Sequence, residues 1–222
     1  MSTKSDEEAE IAKRYFGSFA DDYHQAFGGT GRQPLHALIN RLFRRRTFQR
    51  RTEIVTGWLR DLAVDGRHVL DLGCGSGEVS LVAARLGARV TGLDIVPAMV
   101  EIARKEAAAA GVAGRTAFRV HNLVQDPIEP GDVAMMIGVI EYYADIDTLL
   151  PKVCRSTNDA LIIVDTRGPW WRRQLRFMLA RLKRFRLYYH PPGHVAAIVA
   201  REGLKETARV AGHAYTAMLF RR

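Results

Sequence analysis

Short apolar runs alternate with amphipathic stretches from residue 67 to the end of the chain. Residues 67–72 form an apolar run that stops at a glycine turn, and 78–86 carry the spacing of a helix. Residues 89–93 read as a second buried strand. Residues 97–110 are a run of good helix formers halted by Gly111. Residues 116–121 alternate like a strand, and 133–137 form a short buried strand opened by Gly131 and Asp132. A helix over 146–155 and a strongly apolar strand over 160–165 follow. A helix over 195–202 then stops at Gly203, and strands over 205–210 and 214–220 flank Ala211 and Gly212. This alternation predicts an α/β fold with a mostly parallel sheet covered by helices on both faces.

Two segments fall outside the alternation. Residues 11–58 read as helical, with breaks at Gly28, Gly29 and Gly31, after a polar 2–10 expected to be disordered. In residues 169–187, Trp171, Leu175, Met178, Leu182 and Phe185 recur at helical spacing. Tyr188-Tyr189-His190-Pro191-Pro192-Gly193-His194 then reads as a defined turn, not a helix. The expected organisation is a helical cap over 1–60 and a main domain over 61–222, with a helical insertion at 168–190.

The length of 222 residues and the 47% hydrophobic content suit one α/β domain with additions. No stretch has the eighteen or so uninterrupted apolar residues of a membrane span. The first ten residues are polar and acidic, so a cytoplasmic protein is expected. Cys74 and Cys154 lack metal-ligand spacing and read as reduced thiols, so no metal is expected. The net charge of +9 is concentrated: 23–52 carries seven arginines and no acid, and 166–201 carries eight arginines, Lys183 and no acid.

Candidate chemistry centres on Val-Leu-Asp-Leu-Gly-Cys-Gly-Ser-Gly at 69–77, with Asp94 at the end of the next strand. A strand, a glycine turn and a helix bring bare backbone N–H groups close to a ligand. An acid at the second strand's end can accept two hydrogen bonds from a ribose diol. A dinucleotide fingerprint spaces its glycines G-x-G-x-x-G. Here Gly73, Gly75 and Gly77 are spaced G-x-G-x-G, which argues against a nucleotide-dependent dehydrogenase. Asp71 beside the loop would repel a pyrophosphate but suits an ammonium group.

D-x-G-x-G-x-G followed by a strand-end acid resembles motifs I and II of the class I S-adenosylmethionine (SAM)-dependent methyltransferases. The resemblance covers roughly 69–165. It implies a Rossmann-like seven-stranded sheet, mostly parallel, ending in an antiparallel hairpin, with SAM as cofactor. By the same resemblance, Gly73, Cys74 and Gly75 approach the methionine part, Asp71 lies near its amino group and Asp94 holds the ribose. Ile95 and Met99 pack on the adenine. Asn122, where the family usually has Asp, accepts from the adenine amino group through its carbonyl, beside Leu123. Ile137 and Gly138 line the sulfonium. Tyr15-Phe16-Gly17-Ser18-Phe19-Ala20-Asp21-Asp22-Tyr23 resembles the opening motif of small-molecule members, with Gly17 and His24 in place of the usual acids. Tyr23 would lie over the SAM carboxylate or be a core tyrosine.

The catalytic candidates are Tyr142, after the fourth strand, and His190, whose ordinary pKa suits a base near neutrality. Each also has a structural reading, as helix packing and as a turn residue. The chain lacks the N/D-P-P-Y/F loop of many nucleic-acid and protein amino-methyltransferases. Short members with its pattern include magnesium-protoporphyrin O-methyltransferases, which share the Tyr-Phe opening and the length. The expected reaction is methyl transfer to a small-molecule or lipid-linked acceptor at oxygen. The acid-free stretches admit three readings: a solvated face, contact with an anionic membrane at its inner surface, or attraction of an anionic acceptor. The alternative function is nucleic-acid binding or RNA methylation through these basic segments, but no RNA or DNA module is recognised.

Overall fold

A computed structural model describes residues 49–166, 187–212 and 214–222. Most of the 1–60 cap, the opening motif with Tyr23, and nearly all of the 168–190 insertion lie outside the described residues.

Helix α1 (49–61) leads into strand β1 (His68–Leu72), then α2 (Glu78–Arg85), β2 (Arg89–Asp94), α3 (Pro97–Ala109) and β3 (Thr116–Val120). Strand β4 (Gly131–Ile137), α4 (Ile146–Arg155), β5 (Thr157–Thr166), α5 (Pro192–Arg201), β6 (Lys205–Ala211) and β7 (Tyr215–Arg221) complete the order. The seven strands form one sheet in the order β3-β2-β1-β4-β5-β7-β6. Strands β1 to β5 pair in parallel, and β7 runs antiparallel to both β5 and β6. The expected Rossmann-like sheet with an antiparallel C-terminal hairpin is therefore present. The order turns back between β1 and β4, which makes their carboxyl ends the natural ligand crevice.

Period-two alternation along each strand divides the core in two. Leu70, Leu72, Ala134, Met136, Leu161 and Ile163 face one layer with Leu149, Leu150, Ile198 and Val199 from α4 and α5. Val69, Val133, Met135, Ile162 and Val164 face the other with Val79 and Ala83 of α2. Val55 and Leu59 of α1 are fully buried in that second layer. The 60/61 boundary thus cuts the last turn of a helix whose described part belongs to the main core.

Two elements begin three residues earlier than the sequence reading placed them. Strand β5 begins at Thr157, not residue 160, because Asp159 is held by Arg67 (2.8 Å) and Arg221 (3.2 Å), and its polarity hides the strand. Helix α5 begins at Pro192, not residue 195. Proline suits the first helical position, where no N–H is needed. His194, read as part of a turn, is a helix residue 3.1 Å from Asp147.

Candidate functional site

The chain leaves β1 at Leu72 and turns sharply across the end of β2. Gly73 and Cys74 both donate their N–H groups to Leu93 O, at 2.7 and 3.1 Å. Gly73 and Gly75 have positive φ, 79° and 53°, but for different ends. A Cβ on Gly73 would lie 2.5 Å from Val139 Cγ2, so glycine lets the turn pack against the segment after β4. Among the described residues, a Cβ on Gly75 would meet nothing within 4 Å. That open space lies above the loop, beside Asp94.

Asp94 binds the turn with both oxygens: Oδ2 accepts from Gly75 N at 2.8 Å and Oδ1 from Val96 N at 2.9 Å. Burial raises its pKa, and the backbone N–H donors pull it back. Asp71 lies buried beneath the loop, where Oδ2 accepts from Ser80 Oγ at 2.6 Å. Burial pushes Asp71 up to about 6, with Asp94 adding to the rise and Ser80 opposing it. Burial likewise pushes the Cys74 thiol up, which keeps it neutral.

Beyond Asp94, buried Met99 packs with Val96, and Ile95, Ala98 and Ile102 join them as an apolar shelf. Asn122 follows β3, but its Oδ1 already accepts from Val124 N (3.0 Å) and Gln125 N (3.4 Å). The carbonyl expected to meet an adenine amino group is therefore engaged in its own turn, as a short Asn side chain readily is. The Leu123 side chain is buried in the core.

After β4, Ile137 and Gly138 are half-buried, and Gly138 N donates to Val164 O at 2.6 Å. A short 3-10 helix, Ile140–Tyr142, holds Glu141 buried and Tyr142 half-buried. Tyr188 N donates to Glu141 O at 2.8 Å, and His190 Nε2 lies 2.9 Å from Tyr143 O. A carbonyl can only accept, so Nε2 carries a proton and donates it to Tyr143 O. His190 is buried and thereby joined to the same post-β4 segment as Tyr142.

Arg51 is a site residue that the sequence reading counted only as charge. A Cβ on Gly138 would lie 2.8 Å from an Arg51 guanidinium nitrogen, so this side chain crosses the end of β4. Glu78, although it keeps an exposed surface, is raised to about 7 by desolvation, and Arg51 opposes that rise. No motif marks Arg51; only the seating of α1 on the sheet brings it here.

Residues 69–160 match the family model of a methyltransferase domain. Over 95 residues the chain is 35% identical to a ubiquinone biosynthesis O-methyltransferase of Methylobacterium nodulans, covering 43% of this chain and 38% of that protein. It is 33% identical over 104 residues to a ribosomal protein L11 methyltransferase of Enterobacter, covering 45% of this chain and 35% of that protein. The chain thus spans well under half the length of these curated relatives. Its fold matches the crystal structure of a Synechocystis magnesium protoporphyrin IX methyltransferase with bound S-adenosylhomocysteine. That match has TM-score 0.78 and 21% identity, and it covers 97% of this chain and 99% of that one. Residues 69–160 are thus similar to a methyltransferase domain, and the fold is similar to that of a class I S-adenosylmethionine-dependent methyltransferase. The residues present fit that cofactor: open space over Gly75, a carboxylate at Asp94, and an apolar shelf at Ile95 and Met99.

Proposed function

We propose that the protein transfers a methyl group from SAM to an oxygen of a small-molecule or lipid-linked acceptor. The observation that carries this reading is the open space over Gly75, bordered by Asp94. When bound, the cofactor supplies a methyl group on an electrophilic sulfonium. Asp94 has lone pairs left for a ribose diol after its two backbone bonds. Ile95 and Met99 support the adenine face, beside Asn122 and Leu123. The Gly73–Gly75 backbone, with Cys74 between, receives the methionine part. Asp71 favours its ammonium, and the Arg51 guanidinium favours its carboxylate. Ile137 and Gly138 border the sulfonium, and we assign Tyr23, which lies outside the described residues, to the methionine end.

The acceptor lies on the side of Glu141, Tyr142 and His190. Alignment supplies most of the rate of such a displacement. His190 Nδ1 takes the acceptor's proton, and Tyr142 orients the attacking oxygen. The acid-free stretches 23–52 and 166–201 favour an anionic acceptor, or one presented at an anionic membrane surface. The name of the ubiquinone biosynthesis relative supports oxygen as the atom methylated.

The test is methyl transfer from radiolabelled SAM to two acceptor types, phenolic hydroxyls on polyprenyl chains and porphyrin carboxylates. Base-labile label identifies a methyl ester, and base-stable label identifies an ether. Failure to label either type, with transfer to ribosomal protein or RNA instead, would overturn the small-acceptor reading.

A further inference from the structure

The turn after β3 is fixed by more than its own sequence. Within it, Asn122 N donates to Asp126 Oδ2 at 2.8 Å, and Asp126 N donates to Asn122 O at 2.9 Å. Asn122 Oδ1 accepts from two further N–H groups of the turn. These bonds leave the carbonyls of Leu123, Val124 and Asp126 to find donors elsewhere. Lys152 of α4 serves all three. Its Nζ lies 2.9 Å from Leu123 O, 2.9 Å from Val124 O and 2.6 Å from Asp126 O. Three acceptors around one nitrogen require three N–H groups, so Lys152 is an ammonium here. Burial pulls its pKa down, and Asp126 opposes that pull. At the turn's other end, His121 N donates to Asp94 O at 2.8 Å. The turn is therefore fixed both to the strand end carrying Asp94 and to a helix farther along the chain.

We propose that Lys152 is a positioning residue for the adenine end of the cofactor site. It holds the 122–126 turn at a set distance from Asp94, Ile95 and Met99 without itself touching the cofactor. The inference rests on the proposed placing of the adenine against this turn. Buried Leu123 anchors the turn to the core at one point, and Lys152 supplies a second anchor that stops it from hinging. Arginine could not substitute, because a planar fork does not converge three N–H groups on one point.

Calorimetry with two ligands tests this: S-adenosylhomocysteine, and S-inosylhomocysteine, whose base exchanges donor and acceptor along the edge concerned. The wild type should prefer the adenosyl ligand by roughly tenfold, the value of about one well-made buried hydrogen bond to the backbone of this turn, because the Asn122 carbonyl is already engaged. Lys152→Met should weaken adenosyl binding by about that factor and inosyl binding little, so the ratio collapses towards one. Lys152→Gln, which keeps part of the donor set, should fall between. A ratio measured on one preparation does not depend on the fraction folded, so instability alone cannot imitate the result. If Lys152→Met does not fold, Lys152→Gln decides by the same ratio.

An unchanged ratio in the variant overturns the role of Lys152 and leaves the proposed function standing. Equal binding of both ligands by the wild type overturns it too, because the adenine edge is then not read at this turn. A wild type that binds neither ligand overturns the proposed function and this inference together.

Discussion

Gly75 donates its N–H to Asp94 Oδ2 at 2.8 Å, which ties the glycine turn after β1 to the end of β2. One carboxylate thus shapes the loop and faces the open space over it. The two motifs, nineteen residues apart, act as one unit.

Asp94→Ala should weaken S-adenosylhomocysteine binding by about 1–3 kcal/mol, the cost of leaving buried hydrogen-bonding groups unpaired. Asp94→Asn keeps one acceptor oxygen and should lose less. Calorimetry on folded variants checks the order, and equal affinity for all three proteins would remove Asp94 from the ribose site.

Alanine at Gly75 and at Gly73 should separate ligand loss from fold loss. At Gly75 the new methyl enters open space, so cofactor binding should fall with a stability cost of about 1 kcal/mol from the positive φ. At Gly73 it meets Val139, so the Tm should fall further. Equal melting of the two variants would contradict this division of roles.

Asp71 gives a pH signature. Its folded pKa of about 6 lies above the ordinary carboxylate value, so folding favours the protonated form. Stability is then lost as pH rises from about 4 to 6, reaching about 3 kcal/mol above that window. Asp71→Asn can still accept from Ser80 and escapes this loss. In thermal melts, the difference between variant and wild type should be small near pH 4 and grow in the variant's favour towards pH 7. A pH-independent difference would show that burial of the charge is not its source.

Leu59 tests whether α1 belongs to a separable cap. It is fully buried among the side chains of the second core layer, so Leu59→Ala should cost about 2–5 kcal/mol. Chemical denaturation should still show one transition, with its midpoint lowered. A second, independent transition would mean that α1 folds apart from the sheet.

Charge removal tests the anionic acceptor. Replacing Arg172, Arg173 and Arg176, which lie outside the described residues, should raise the acceptor KM with SAM affinity nearly unchanged. Added salt should lower the wild-type kcat/KM, since screening shortens the field to about 8–10 Å at physiological ionic strength. Sedimentation with anionic vesicles then distinguishes a soluble acceptor from docking at a membrane. If neither salt nor mutation matters, the arginines are a solvated face.

The sequence by itself determined the layered fold and the glycine turn, because both are local. Period-two strands and helical runs mark their own positions, and D-x-G-x-G-x-G with Asp94 marks a turn and a strand end within one β-α-β unit. Where polarity served a distant partner, the pattern misled. Asp159 reads as loop until Arg67 and Arg221 are seen to bind it. Asn122 reads as an open acceptor until its oxygen is found in its own turn. Only the tertiary structure brings Arg51 over Gly138, joins His190 to Tyr143, and sets Lys152 against three carbonyls of the post-β3 turn. Each of these depends on helices or loops packing across the sheet. A long-range contact leaves no period in the chain, so the physical reason for these residues appears only when the partners meet.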